Sequence, residues 1–237
     1  MAVAISVGDS FSCAVLSNGS VTCWGGNDLG QLGDGTNTNS TAPGAIVQLN
    51  QSAVTVSSGQ SHSCAILLDG KVACWGNNDY GQLGDGTLID KNSPVIAQLP
   101  PSKSAVMIDV GISHTCAVMN DGSLYCWGLN ANHQLADGTN AFKSVPIQSS
   151  LPNGVSATLV TTGEGHTCIL TNESTIYCIG ANSEGQLGES TTVSRTTFTE
   201  TKWNQNNSIS SLYYTLGYAT ENNLQWIKYS FYICFII

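Results

Sequence analysis

The chain has 237 residues, 41% of them hydrophobic but only 10% charged, against about 25% in ordinary soluble domains. It is long enough for a sizeable core, with a surface supplied by Asn, Ser, Thr, Gln and Gly. The 16 acidic and 7 basic residues give a net charge of −9. No Lys/Arg cluster is present to release counterions from phosphates, so nucleic-acid binding is not expected, and no apolar run reaches the length of a membrane helix.

The chain opens on Met1-Ala2-Val3-Ala4-Ile5-Ser6-Val7, with no basic leader or cleavage site, so a signal peptide is not expected. A strand through Ser12-Cys13-Ala14-Val15 follows. Ser17-Asn18-Gly19 has the form of a three-residue hairpin loop, a type I turn closed by a left-handed glycine. Counting outward, Leu16 faces Ser20, Val15 faces Val21, Ala14 faces Thr22 and Cys13 faces Cys23. A Gly-rich turn, Gly30-Gln31-Leu32-Gly33-Asp34-Gly35-Thr36, comes next. A turn at Pro43, a slot that later holds Pro94 and Pro146, and a final strand past it complete the unit. No stretch shows helical periodicity.

This unit recurs. Cys13, Cys64, Cys116 and Cys168 are separated by 51, 52 and 52 residues. Gly25, Gly76, Gly128 and Gly180 keep step, as do Asn27, Asn78, Asn130 and Asn182, and Gln31, Gln82, Gln134 and Gln186. The repeats run about 1–50, 51–102, 103–154 and 155–200. Residues 201–237 read as a degenerate fifth repeat or an irregular, truncated tail that carries the unpaired Cys234. One such unit cannot bury its own apolar face, so neighbouring units must cover it, as in propellers and solenoids.

Eight cysteines form four pairs of one spacing: Cys13 with Cys23, Cys64 with Cys74, Cys116 with Cys126, and Cys168 with Cys178. The hairpin count places each pair in a non-hydrogen-bonded cross-strand position, with Cα atoms about 4.5 Å apart. A disulfide fits there. Free core thiols or zinc are the alternatives, and zinc pairs are usually spaced by two to four residues. Disulfides point to an oxidising compartment, extracellular or at the cell surface. The fourth hairpin, Asn172-Glu173-Ser174, lacks the glycine and should be strained or looser.

The string from Cys23 to Thr36, repeated almost letter for letter from Cys74 to Thr87, resembles the signature of the regulator of chromosome condensation repeat. The resemblance covers about residues 1–200 and, through the cysteines, is similar to the secreted bacterial and archaeal, alpha-tubulin suppressor-like type. It implies an all-β fold, a β-propeller most often of seven blades. With four clear blades here, it implies an incomplete ring.

Trp24, Trp75 and Trp127 share a slot filled by Ile179 in the fourth copy, and read as inter-blade core. His62, His114 and His166 share another, with Phe11 in the first copy, and read as histidines hydrogen-bonded within each blade. Asp34, Asp85 and Asp137 read as turn formers in preference to calcium ligands, since EF-hand spacing is missing. The repeated Asn and Gln should bond turn backbone. No catalytic or cofactor motif appears, so no catalytic residue, metal or cofactor is expected.

Function is therefore sought in loops that differ between blades. Tyr80, Leu88, Ile89 and Phe142 are candidate protein-binding anchors, and His133, which stands where other copies have glycine, is a candidate surface contact. The reading is a non-enzymatic protein-binding scaffold with an unnamed protein partner and an open oligomeric state. The resemblance offers two alternatives: exchange of guanine nucleotide on a small GTPase, and inhibition of an enzyme by a secreted member.

Overall fold

A computed structural model describes residues 1–202, which form sixteen strands in four sheets. The first sheet contains β1 (Ala2–Val7), β2 (Phe11–Leu16), β3 (Val21–Gly25) and β4 (Ile46–Val47). The second contains β5 (Ala53–Ser58), β6 (His62–Leu67), β7 (Val72–Gly76) and β8 (Lys91–Ile96). The third contains β9 (Ala105–Val110), β10 (His114–Met119), β11 (Leu124–Gly128) and β12 (Lys143–Gln148), and the fourth β13 (Ala157–Thr162), β14 (His166–Thr171), β15 (Ile176–Gly180) and β16 (Arg195–Glu200). Each sheet is an antiparallel meander in sequence order, one blade of a β-propeller. The readings for residues 203–237 and Cys234 lie outside the described residues.

The hairpin register matches the count made from the sequence. Cys13 faces Cys23, Ala14 faces Thr22 and Val15 faces Val21. The other three blades repeat this, with Cys64 facing Cys74, Cys116 facing Cys126 and Cys168 facing Cys178. All four pairs are at disulfide distance. Their Cα atoms are 4.1 Å apart, somewhat closer than the cross-strand spacing expected from the sequence. Gly19 takes φ 81° and closes the loop onto the Leu16 carbonyl. In the fourth blade Ser174 is held at φ 62°, a left-handed conformation that costs a side-chain-bearing residue about 1–2 kcal/mol.

The proline slot differs from expectation. Pro94 and Pro146 do not mark a turn before the last strand; they lie inside β8 and β12. These are the outermost strands, where a residue without an N–H leaves no ladder bond unmade.

The core lies between blades, because each sheet hides its apolar face on the next. Trp75 and Trp127 are fully buried, and their indole N–H groups donate to the Gln31 and Gln82 carbonyls of the preceding blade, at 2.9 and 2.8 Å. Each ring lies over a left-handed glycine: a Cβ on Gly33 or Gly84 would come within 2.7 or 2.9 Å of it. The third joint carries a matched exchange. Ile179 replaces the tryptophan, and Ala136, at φ 55°, replaces the glycine; both lie in one buried cluster.

The histidines do not bond within their own blades as expected. His62 Nε2 meets Thr115 Oγ1 of the next blade at 2.9 Å, and His114 Nε2 meets Thr167 Oγ1 at 3.0 Å. Both threonine hydroxyls donate to glutamine carbonyls, Gln82 and Gln134. The histidines must therefore be the donors, neutral and protonated at Nε2, with Nδ1 left without a partner. Burial, then the imidazole of the following blade, holds both near a pKa of about 3.

Candidate protein-interaction face

Strand direction alternates within each meander, so the turn between its first two strands and the long loop between its third and fourth emerge together. Hydrogen bonds fasten these two sets of loops: Gly26 N to Ser10 O, Asn77 N to Ser61 O, Leu129 N to Ser113 O and Ala181 N to Gly165 O, all at 2.8–2.9 Å. The cysteine hairpins emerge at the opposite face.

A buried asparagine organises each long loop. Asn78 Nδ2 donates to the Thr87 and Ile89 carbonyls, and its Oδ1 accepts from Leu83 N. Asn27, Asn130 and Asn182 repeat this pattern. Gln31, Gln82, Gln134 and Gln186 each accept a backbone N–H two residues earlier through Oε1. The aspartates act as turn formers: Asp85 accepts from Thr87 N and Oγ1, and Asp137 does the same with Thr139. A cation six residues on completes three of the loops, as Lys91 to Asp85, Lys143 to Asp137 and Arg195 to Glu189. Burial works against the charge of Asp137, but hydrogen bonds from Lys143, Thr139 and Asn130 outweigh it and bring its pKa down to about 2.

On these fixed loops the predicted contact residues emerge at one face. Tyr80, Leu88 and Ile89 belong to the second blade's loop and are 41%, 47% and 65% exposed, and Phe142, in the third blade's loop, is 48% exposed. His133 is partly buried at φ 64°, in a slot where Gly30, Gly81 and Gly185 take 77–78°, so the turn fixes its direction. None of the five lines either of two recesses in this face. One, of about 280 Å³, lies between the first two blades and includes Leu29, Asn37, Asp90 and Pro94. The other, of about 340 Å³, is lined by Gly59, Val110, Gly111, Ile112, Gly163 and Glu164 from the first turns of successive blades.

Charge is divided unevenly. Asp9, Asp28, Asp34, Asp79, Asp90, Glu164 and Glu184 belong to the turns and loops of this face and form no ion pair among the described residues. At the hairpin face, Asp69 pairs with Lys71 and Asp121 with Lys103. Asp109 was missed by the sequence reading. It stands on an inner strand where the other copies have Ser6, Ser57 and Thr161, and that lone acid among hydroxyls was the available signal. Burial raises its pKa, while its carboxylate accepts from Thr162 N and Oγ1 of the next blade, at 2.6 and 2.8 Å, and from Ser57 Oγ of the previous one.

Two models of the regulator of chromosome condensation (RCC1) repeat match the chain, one over residues 18–66, 69–118 and 121–170, the other over 2–31, 53–82, 107–134 and 157–186. The chain belongs to the RCC1 repeat family. Human HERC6, a probable E3 ubiquitin-protein ligase, is 35% identical over 198 residues, covering 79% of this chain and 19% of that protein. The ultraviolet-B receptor UVR8 of Arabidopsis thaliana is 31% identical, over 78% of this chain and 43% of the receptor. The mouse Regulator of chromosome condensation is 32% identical, over 72% and 41%. This RCC1-repeat chain thus spans less than half the length of these curated relatives. Among solved structures, human WBSCR16 superposes with a TM-score of 0.77 at 21% identity, over 86% of this chain and 53% of that one. Yeast RCC1 (Prp20), solved bound to Kap60, gives 0.72 at 23%, over 84% and 49%. Both confirm the RCC1 propeller fold.

Proposed function

We propose that this chain is a non-enzymatic scaffold that binds a protein partner through its loop face, with Tyr80, Leu88, Ile89 and Phe142 as apolar anchors and His133 beside them. The observation that carries the reading is that identical asparagine and glutamine anchors fix loops whose exposed side chains differ between blades. The unpaired carboxylates around those anchors favour a partner with a basic surface. The cysteine pairs, at bonding distance in all four blades, support an extracellular or cell-surface setting. Titrating thiols with and without reductant tests that setting: eight reductant-dependent thiols support it, while the same eight reacting without reductant refute it.

The binding reading is tested by affinity capture with three baits. A chain carrying Tyr80→Ala, Ile89→Ser and Phe142→Ala should lose the proteins that wild type retains. A hairpin-face control carrying Leu68→Ser and Lys71→Ala should keep them. Equal capture by all three rejects the assigned face. A second reading, nucleotide exchange on a small GTPase, is favoured by similarity to the mouse Regulator of chromosome condensation. It requires a reducing compartment, so the same thiol titration separates it from the first.

A further inference from the structure

At the first two joints the long loop of one blade leans on the outer strand of the next. Gly35 N donates to the Asn92 carbonyl across the first joint, and Gly86 N to the Ser144 carbonyl across the second, at 2.8 and 2.9 Å. The recess of about 280 Å³ lies in the first of these contacts, so both of its walls belong to a joint between two described blades. Leu29 and Asn37 line it from the first blade, and Asp90, Asn92, Pro94 and Val95 from the second. At the second joint the positions of Leu29, Asn37 and Asp90 are taken by Tyr80, Leu88 and Phe142. The recess and the apolar anchors of the loop face are thus two versions of one site, one joint apart.

The version in the first joint carries a charge that the fold does not require. Asp90 Oδ1 accepts from Asn78 N at 2.7 Å and holds the start of the long loop. Neutral side chains do the same in two other blades: Asn39 Oδ1 accepts from Asn27 N at 2.7 Å, and Ser194 Oγ from Asn182 N at 3.3 Å. The third blade has Phe142 there, with no side-chain acceptor at all. Asp90 is exposed, and its second oxygen, Oδ2, accepts no hydrogen bond among the described residues. The neighbouring Lys91 does not neutralise it, because its ammonium is turned to Asp85, 3.8 Å away. A carboxylate fixed through one oxygen and open at the other therefore stands beside the partly buried Leu29, Pro94 and Val95.

We propose that this recess takes an arginine side chain of the protein partner. The guanidinium donates to Asp90 Oδ2, and the methylene stem lies along Leu29, Pro94 and Val95. Arginine suits the recess better than lysine, because its planar head is weakly hydrated and packs against apolar walls. An apolar group of the same partner meets Tyr80, Leu88 and Phe142 at the next joint. This assignment rests on the loop-face binding proposed above and gives that face a charged subsite beside its apolar one.

The test is titration of N-acetyl-Gly-Arg-Gly-amide into the full chain, followed by backbone amide NMR shifts. Shifts at Asn37, Lys91, Asn92 and Ser93 should saturate. The same peptide with citrulline, the neutral analogue of arginine, should bind about tenfold more weakly, and so should the arginine peptide to Asp90→Asn. Asparagine already serves in this slot as Asn39, so the substituted loop stays closed. Shifts at these residues that fail to saturate overturn the proposal. So does equal binding by the citrulline peptide or by Asp90→Asn. The peptide reads the recess without the partner, and affinity capture separates the recess from the face. Asp90→Asn should capture less partner than wild type. If it captures as much while the Tyr80→Ala, Ile89→Ser, Phe142→Ala chain captures none, the recess is rejected and the face stands. Equal capture by wild type and both variants rejects the face itself.

Discussion

Gly33 and Trp75 illustrate how one residue sets its partner's size. A methyl group on Gly33 would press within 2.7 Å of the indole, at a φ of 67° that already disfavours a side chain. Gly33→Ala should therefore destabilise the chain by about 2–3 kcal/mol. Trp75→Ile in the same chain should recover part of that loss, because it copies the Ala136–Ile179 joint. A double-mutant cycle by chemical denaturation measures the coupling, and strict additivity would contradict the packing argument. The neutral histidines predict a pH effect. Unfolded, each has a pKa of about 6.5; folded, His62 and His114 sit near 3. Between these values the unfolded chain binds more protons, so stability is full above pH 6.5 and falls as the pH drops towards 3. The slope approaches about 1.4 kcal/mol per pH unit for each histidine. His114→Gln keeps a donor for Thr167 and should flatten the slope between pH 6 and 4.5; an unchanged slope would mean His114 is charged in the fold.

At the scale of the element, the hairpins were the most legible part of the sequence. A loop of fixed length with glycine at its end determines register, and register determined that Cys13 faces Cys23 and Cys116 faces Cys126. The fourth loop has no glycine, yet its length is the same, and Cys168 still faces Cys178. The outer strand was misplaced because proline reads as a turn signal; nothing in the local sequence shows that β8 and β12 lie at a sheet edge, where proline is tolerated. The histidine bonds were misread for a related reason. Slot equivalence reveals that His62 and His114 do the same thing, but their partners lie 53 residues away across a joint. The loop tips could be named as variable and exposed, whereas the recess lined by Gly59, Gly111 and Gly163 arises only when blades stand side by side. Two measurements belong at this scale. Cys64→Ala should lower stability by about 2–3 kcal/mol while partner capture persists, since both sulfurs of the staple are buried inside the blade and reach none of the exposed loop side chains. Ser174→Gly should raise stability by about 1 kcal/mol by relieving the left-handed turn. A thermal melt that leaves Ser174→Gly at or below wild type would show that the turn relaxes some other way.

Across the molecule, each blade supplies what its neighbour lacks. Hydrophobic clusters span successive blades, and the tryptophan, histidine and aspartate contacts all cross joints. Such a body holds its loops still, which lowers the ordering cost of binding. Division of labour between the two faces follows: the loops carry the exposed aromatics and the unpaired acids beside their own ion pairs, whereas the acids of the second and third hairpin turns, Asp69 and Asp121, are both paired. The most direct measurement of that division is hydrogen exchange on the chain with and without its captured partner. Binding should slow exchange in the second and third long loops, at 77–90 and 129–142, and leave the hairpin turns at 17–19, 68–70 and 120–122 unchanged. Protection confined to those hairpin turns would contradict the account.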